Sequence, residues 1–198
     1  RLNLENERRI WKLKQSADNP AVLELYIYDH IIGDGYDWWS GEVIESETSA
    51  EYFKQELAKY PNVEQINLYV NSYGGHVYEA MAIRNQLKRH SARVVGIVDG
   101  FACSAASFVL TACDVVKMYS NTMQMIPDIR VGVYGNSEEL RKAADDNDAI
   151  MQGNRQAYLE KAGGKITEEK LTELMKAETW LTAQQCLEYG LCDEVIGE

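Results

Sequence analysis

The chain has 198 residues, which fits a single domain, and its apolar fraction of 45% is ordinary for a soluble globular protein. Acidic residues outnumber basic ones by 31 to 20, and the net charge of −11 argues against a nucleic-acid surface and against binding to an anionic membrane. No apolar run approaches the roughly 20 residues of a membrane span and the start lacks the apolar core of a secretory signal, so we expect a cytoplasmic protein.

The chain has few cysteine and histidine residues that could bind a metal ion. The four cysteines form no CxxC pair, and Cys103 and Cys113 fall in core-like segments, which predicts buried free thiols in a reducing compartment. The three histidines are His30, His76 and His90. We therefore expect neither a metal site nor a cofactor.

The N-terminal quarter of the chain contains an arm, a strand and a loop. Residues 1–20 are charged and end at Asn19-Pro20, which predicts an arm. The loop at 33–47 carries Trp38-Trp39, and this pair either lines a pocket or a subunit contact, or covers the core. A capping-box pattern from Thr48 to Glu51 marks the start of the first helix.

The hydrophobic pattern of the rest of the chain alternates between strand and helix periods, which predicts a layered α/β fold. The strands are expected at 21–32, 63–70, 93–98, 114–119, 122–126 and 193–196. The helices are expected at 49–59, 76–90, 104–112 and 137–162, from Thr167 to about Lys176, and from Thr182 to Gly190. The strands at 63–70, 93–98 and 114–119 close two consecutive βαβ units, so they should be parallel.

The helix at 137–162 is too long to pack wholly on a core of this size. At 1.5 Å per residue it spans about 38 Å, so it should project and its apolar stripe needs a partner. The stripe consists of Leu140, Ala143, Ile150, Ala157 and Tyr158. We expect one structural domain, with an α/β head formed by 21–131 and 177–198 and a helical handle formed by 132–176.

Two glycine-bearing turns follow consecutive parallel strands, and they point to a site. Asn71 to Gly75 follows the strand at 63–70, and a predicted turn at Asp99-Gly100 leads to Ser104 after the strand at 93–98. Both turns open at the carboxyl edge of the sheet, where α/β folds place their sites. One backbone N–H from each turn would form an oxyanion hole beside the Ser104 hydroxyl. The alternative is that Ser104 only caps a helix, since serine is a preferred N-cap residue.

The segments around these turns resemble the proteolytic subunit of the Clp protease family. The likeness lies in Asn71 to Gly75, in GFACSAA at 100–106 and in LTAQQCLEYGL at 181–191. The sequence Tyr134-Gly135-Asn136-Ser137 is most similar to the phage and prophage branch, the head-maturation (prohead) proteases. The resemblance implies the Clp/crotonase fold, a handle helix through which subunits pair over 137–162, and stacked rings that enclose the active sites. It also implies a protein or peptide substrate and an ATPase as a potential partner.

Carried over residue by residue, the resemblance implies a serine protease with an incomplete triad. Ser104 matches the nucleophile, Gly75 and Ala105 match the oxyanion donors, and Glu178 matches the acidic member. The position of the catalytic histidine, after Met125-Ile126, is occupied by Pro127. Proline cannot accept a proton, so a substitute base is required. The candidates are His76, for which a solvent-facing or capping role weighs more heavily, and Asp128, which would need a raised pKa.

Three functions remain open at this point. The first is a Clp-type serine endopeptidase of weakened activity, in the setting of phage head maturation. The second is a non-catalytic, ring-forming structural protein on the same fold. The third is a crotonase-type acyl-CoA enzyme, which the acidic charge and the lack of a basic patch for the CoA phosphates disfavour.

Overall fold

The computed structural model describes residues 14–15, 19, 21–46 and 48–197, and within them the chain forms a layered α/β fold. The strands are β1 (Lys14–Gln15), β2 (Val22–Ile27), β3 (Gly35–Asp37), β4 (Glu42–Ile44), β5 (Gln65–Ser72), β6 (Arg93–Cys103), β7 (Val115–Tyr119), β8 (Met123–Met125), β9 (Trp180–Thr182) and β10 (Glu194–Ile196). The helices are α1 (Ala50–Leu57), α2 (Val77–Arg89), α3 (Ala105–Leu110), α4 (Ser137–Ala162), α5 (Glu168–Lys176) and α6 (Ala183–Glu188). The predicted α/β class is confirmed.

The central sheet follows the order β1-β2-β5-β6-β7-β10. From β2 to β10 the neighbouring strands are parallel, and β1 adds an antiparallel edge. Alternate residues of β2 and β5 are fully buried, so one face of the sheet lies against the core. Helix α2 joins β5 to β6, α3 joins β6 to β7, and α2 packs against both α1 and α3. Both predicted βαβ units are therefore present.

Strand β6 does not end at Asp99-Gly100, contrary to the turn predicted there. It continues to Cys103 and exchanges its partner on one side from β7 to β8. The amide oxygen of Asn71 accepts a hydrogen bond from Phe101 N at 3.2 Å, and a Cβ on Gly100 would lie 2.4 Å from that oxygen. The glycine thus makes room for a side chain from β5 inside a continuous, irregular strand.

The predicted loop at 33–47 contains an antiparallel hairpin, β3–β4. Trp38 and Trp39 at its tip are 90% and 99% exposed, so they do not cover the core of this chain. The cap of the next helix is also shifted by one residue: Ser49 accepts from Tyr52 N, whereas Thr48 Oγ1 accepts from Ile32 N. Thr48 therefore does not cap α1; its hydroxyl bonds to Ile32, in the segment between β2 and the hairpin.

Helix α4 is 26 residues long and begins at the predicted Asn136–Glu139 capping box. Between 137 and 150 no residue is buried, whereas Met151, Ala157 and Tyr158 in the second half are buried. The predicted stripe is therefore divided: Leu140 and Ile150 are 45% and 41% exposed, and only its second half joins the core.

The C-terminal segment follows the predicted caps. Thr167 caps α5, and Thr182 and Gln185 form the capping box of α6. The three-residue strand β9 was not predicted; it pairs antiparallel with β8. All four cysteines are free and buried, as expected. Of the predicted arm at 1–20, residues 1–13, 16–18 and 20 lie outside the described residues, and β1 pairs with β2.

Candidate active site

One cavity of about 890 Å³ brings the predicted site residues together. It lies where the turns after β5 and β6 meet the ends of α2 and α3, with one wall from the middle of α4. The predicted residues that line it are Gly75, His76, Ser104, Ala105, Pro127, Asp128 and Glu178. Gly75 and Glu178, which are 103 positions apart in sequence, therefore line the same cavity.

Ser104 is the residue between β6 and α3, and its backbone is strained. Its φ of 52° and ψ of −125° lie outside the regions that residues with a Cβ ordinarily occupy. Its N–H donates to Met125 O at 3.0 Å and its carbonyl accepts from Phe108 N, which fixes both sides of the turn. The side chain makes no capping hydrogen bond. Ser104 therefore stands at the N-cap position of α3 without the side-chain hydrogen bond of a capping serine, and it lines the cavity.

The glycine turn after β5 packs directly against the Ser104 turn. A Cβ on Gly74 would lie 2.6 Å from Cys103 O and 2.8 Å from Ala105 N. Gly75 has φ 152°, and a Cβ there would lie 2.0 Å from Ile31 O. Neither position has room for a side chain: Gly74 lies against the Ser104 turn, and Gly75 lies against Ile31.

Two backbone donors in this region are unused. Among the described residues, neither Gly75 N nor Ala105 N donates a hydrogen bond to another atom of the chain. Ala105 is the first residue of α3, where an N–H has no partner inside its own helix. Donors held in a fixed backbone at a cavity wall can stabilise a developing oxyanion.

Glu178 also stands in an unusual backbone conformation, with φ 47°. Its carboxylate accepts from Arg130 Nη2 at 2.6 Å, and the Arg130 side chain is 82% exposed. The acidic residue is thus engaged by a guanidinium at the mouth of the cavity, and no imidazole is bonded to it among the described residues. Sequence reasoning missed Arg130.

Pro127 is buried and lies just beyond the end of β8, where it lines the cavity close to the chain that precedes β9. It follows Ile126, whose N–H donates to Thr179 O at 3.4 Å. The ring of Pro127 offers neither a donor nor an acceptor to Ser104. Asp128 lies next to it and accepts from Ile129 N at 3.0 Å.

His76 is the histidine that lines the cavity. It is exposed, and its backbone N–H donates to Ile31 O at 2.7 Å. The imidazole stacks on Tyr78, and its Nδ1 lies 2.9 Å from the Tyr78 hydroxyl. If the hydroxyl accepts from Nδ1–H, Nε2 is left as a base; the opposite arrangement places the proton on Nε2.

The wall contributed by α2, α3 and α4 is mostly apolar, and sequence reasoning did not assign it to the site. Its members include Met81, Phe108, Ile150, Gly153 and Asn154. Asn154 is the exception in polarity and is 1% exposed. It stands four residues before the buried Tyr158 and four after Ile150, so helical spacing alone could have placed it on the inward stripe.

The thiol next to Ser104 is not a competing nucleophile. Cys103 is buried, and burial raises its pKa to about 11, so the sulfur stays protonated at neutral pH. Among the described residues, no group of three or more His, Cys, Asp and Glu side chains is arranged to hold a metal ion. No helix in the described part of the chain is long and apolar enough to cross a membrane.

Comparison with known proteins places this geometry in context. The family model described as Clp protease matches residues 40–198. The ATP-dependent Clp protease proteolytic subunit of Ligilactobacillus salivarius is 30% identical over 187 residues, which covers 93% of each chain. The ATP-dependent Clp protease proteolytic subunit 1 of Corynebacterium jeikeium is 30% identical over 186 residues, which covers 89% of this chain and 92% of the relative.

Proposed function

The chain belongs to the Clp protease family, and from that premise we propose that it is a serine-type endopeptidase with Ser104 as nucleophile and with weak activity as the chain stands. One observation carries the proposal: Ser104, Gly75 and Ala105 line the same cavity. The Ser104 side chain makes no capping hydrogen bond, and the N–H groups of Gly75 and Ala105 have no acceptor among the described residues. This set supports acyl transfer, because it combines a nucleophile with a site for the developing negative charge.

In the proposed reaction, Ser104 Oγ attacks the carbonyl carbon of a peptide bond. The carbonyl oxygen becomes an oxyanion, and the N–H groups of Gly75 and Ala105 donate to it. The Ser104 proton passes to His76 or to water and from there to the nitrogen of the scissile bond. Collapse of the intermediate then breaks the C–N bond, releases the amine and leaves an acyl-Ser104 ester, which water hydrolyses to a carboxylic acid and free Ser104. Removing one oxyanion donor typically costs about 100- to 1000-fold in rate, so the two donors contribute substantially.

The Ser104 proton has no strong acceptor in this scheme. Pro127 occupies the position that the resemblance assigns to the catalytic histidine, and triad members act as a unit, so loss of one costs nearly as much as loss of all. What remains is on the order of 1000-fold over the uncatalysed reaction, from the oxyanion site and from substrate positioning. His76 is the substitute base that we propose first, since its ring lines the cavity.

The first test labels the nucleophile. A fluorophosphonate probe should react slowly but selectively at Ser104, because the oxyanion donors stabilise the adduct even without an efficient base. Mass spectrometry of the labelled peptide identifies the residue, and Ser104→Ala is the control that should abolish labelling. Absence of labelling at Ser104 would support the non-catalytic, ring-forming alternative instead.

The second test restores the base. Pro127→His should raise the hydrolysis of fluorogenic peptides by orders of magnitude, because an imidazole beside Ser104 would accept its proton. Adding Ser104→Ala to Pro127→His should remove the gain. Brisk cleavage by the unmodified chain would contradict the weak-activity proposal, and loss of that cleavage in His76→Ala would then assign the base.

The physiological setting belongs to the same proposal. The likeness of Tyr134 to Ser137 to the prohead branch supports phage head maturation, with a protein substrate in the cytoplasm of a bacterial cell. The relatives are named as proteolytic subunits of an ATP-dependent protease, which supports an ATPase partner. Stacked rings paired through 137–162 are part of the proposal because the family resemblance implies them.

A further inference from the structure

The amide of Asn154 is buried in the wall of the candidate active site without a partner. Asn154 is 1% exposed and lines the cavity together with Ser104. Among the described residues, its Oδ1 is buried and accepts no hydrogen bond, and its Nδ2, which is not fully buried, donates none. Buried polar side chains are nearly always paired, so an unpaired one that faces a cavity indicates a ligand group or a water.

The rest of the protein around Asn154 does not supply the missing partner. The Tyr158 hydroxyl, one turn further along α4, bonds to Ser107 Oγ at 2.7 Å. Ile150 and Gly153 on α4 and Phe108 on α3, which line the same cavity, have no polar side-chain atoms. The charged pair Arg130 and Glu178 is bonded to itself, and Arg130 is 82% exposed, at the cavity mouth. The amide is therefore a single polar group set into an apolar wall.

We propose that Asn154 is a specificity-determining residue whose amide pairs with a carboxamide side chain, glutamine or asparagine, of the bound peptide. The inference rests on the proposed function for its premise that the ligand is a peptide. An amide presents one donor and one acceptor direction, and a second amide satisfies both at once. At Asn154 a charged side chain would lose hydration in exchange for an uncharged partner, and an apolar one would leave the Asn154 amide unpaired.

The volume of the cavity accommodates a long side chain. Its 890 Å³ holds a peptide segment as well as the side chain beside the reacting carbonyl. Glutamine and methionine are both unbranched and of similar length, so they fill this space comparably and differ in the amide. A peptide pair that differs only as Gln or Met next to the scissile bond therefore isolates the contribution of Asn154.

Binding to the full-length Ser104→Ala variant tests the proposal without requiring turnover. Calorimetry should show the Gln peptide binding roughly 10-fold more tightly than the Met peptide, since a buried polar group left unpaired is costly. Adding Asn154→Leu should bring the ratio to about 1 or invert it, because leucine removes the amide at similar volume. Adding Gln156→Leu, which removes an exposed amide from the same helix, should leave the ratio unchanged.

A merely structural role for Asn154 would change the affinity of both peptides equally and leave their ratio unchanged. Equal binding of Gln and Met peptides overturns the inference, as does a preference for Gln that persists in Asn154→Leu, or binding of neither peptide at millimolar concentration. The first comparison uses the unaltered cavity wall, so it decides even if Asn154→Leu fails to fold.

The outcome separates this inference from the proposed function. Suppose that Ser104→Ala binds the Gln peptide more tightly than the Met peptide, while the unmodified chain neither labels at Ser104 nor cleaves peptides. The role of Asn154 then stands, and the proposed function fails. If the unmodified chain cleaves both peptides and Ser104→Ala binds them with equal affinity, the proposed function stands and the role of Asn154 fails.

Discussion

At the residue scale, Ser104 combines a strained backbone with a side chain that makes no capping hydrogen bond. A residue held in such a conformation costs about 1–3 kcal/mol, and strain of this kind clusters at active sites. Here the cause is visible: the N–H is tied to Met125 O and the carbonyl to Phe108 N, while Gly74 packs against the turn. The surrounding structure fixes the turn, and the hydroxyl is left free.

This strain predicts how substitutions at Ser104 change stability. Ser104→Ala should change the free energy of unfolding by less than about 0.5 kcal/mol, because no cap hydrogen bond is lost. Ser104→Gly should be more stable than Ser104→Ala by about 1 kcal/mol, since the relief of strain exceeds the entropic cost of glycine. Urea denaturation measures both. A loss of about 1 kcal/mol or more in Ser104→Ala would reinstate the capping role.

The sequence could predict the site residues that follow strands, but not their side-chain partners. Gly75, Ser104 and Ala105 could be grouped from the sequence because parallel strands end at one edge of a sheet, which brings the turns that follow them together. The bond between Glu178 and Arg130 spans 48 positions, and no local pattern encodes it. Helical spacing from Ile150 and Tyr158 could have placed Asn154 on the inward stripe, but only tertiary packing shows that its side chain is buried in the cavity wall.

At the element scale, the strands that were not predicted are those that form by pairing with a neighbour and show no local periodicity. β9 has three residues, and it exists because β8 offers an antiparallel partner. The β3–β4 hairpin carries exposed side chains on both strands, so it shows no alternation of apolar and polar residues. Helices and parallel strands with a buried face were predicted well, because burial imposes their period on the sequence.

The extension of β6 has a consequence for the site. Asp99-Gly100 is a strong turn signal, yet the chain remains a strand because Asn71 bonds Phe101 N and fills the space above Gly100. The extra residues carry β6 to β8, and the Ser104 turn is then held by Met125 at the end of β8. The same pairing brings Pro127 to the cavity wall.

At the scale of the whole molecule, α4 joins two environments. Its second half packs on the core and provides a wall of the cavity, whereas its first half has no buried residue in this chain. Ile150 stands at the junction, 41% exposed. Exposed apolar residues at the edge of a helix that is otherwise polar need a cover, and a second copy of the same helix provides one by symmetry.

We therefore expect Ile150→Asp to weaken self-association of the chain. A carboxylate in a contact between two helices would lose hydration without a counter-ion, and that loss opposes assembly. Gln152→Asp is the matched control: it adds the same charge on the same helix, but two residues on, which is about 200° around the helix axis and so on the opposite side. Sedimentation velocity should show a smaller mass for Ile150→Asp and an unchanged mass for Gln152→Asp. Because Ile150 also lines the cavity, mass and not activity is the readout that decides. An assembly of unchanged mass in Ile150→Asp would show that the subunits pair through another surface.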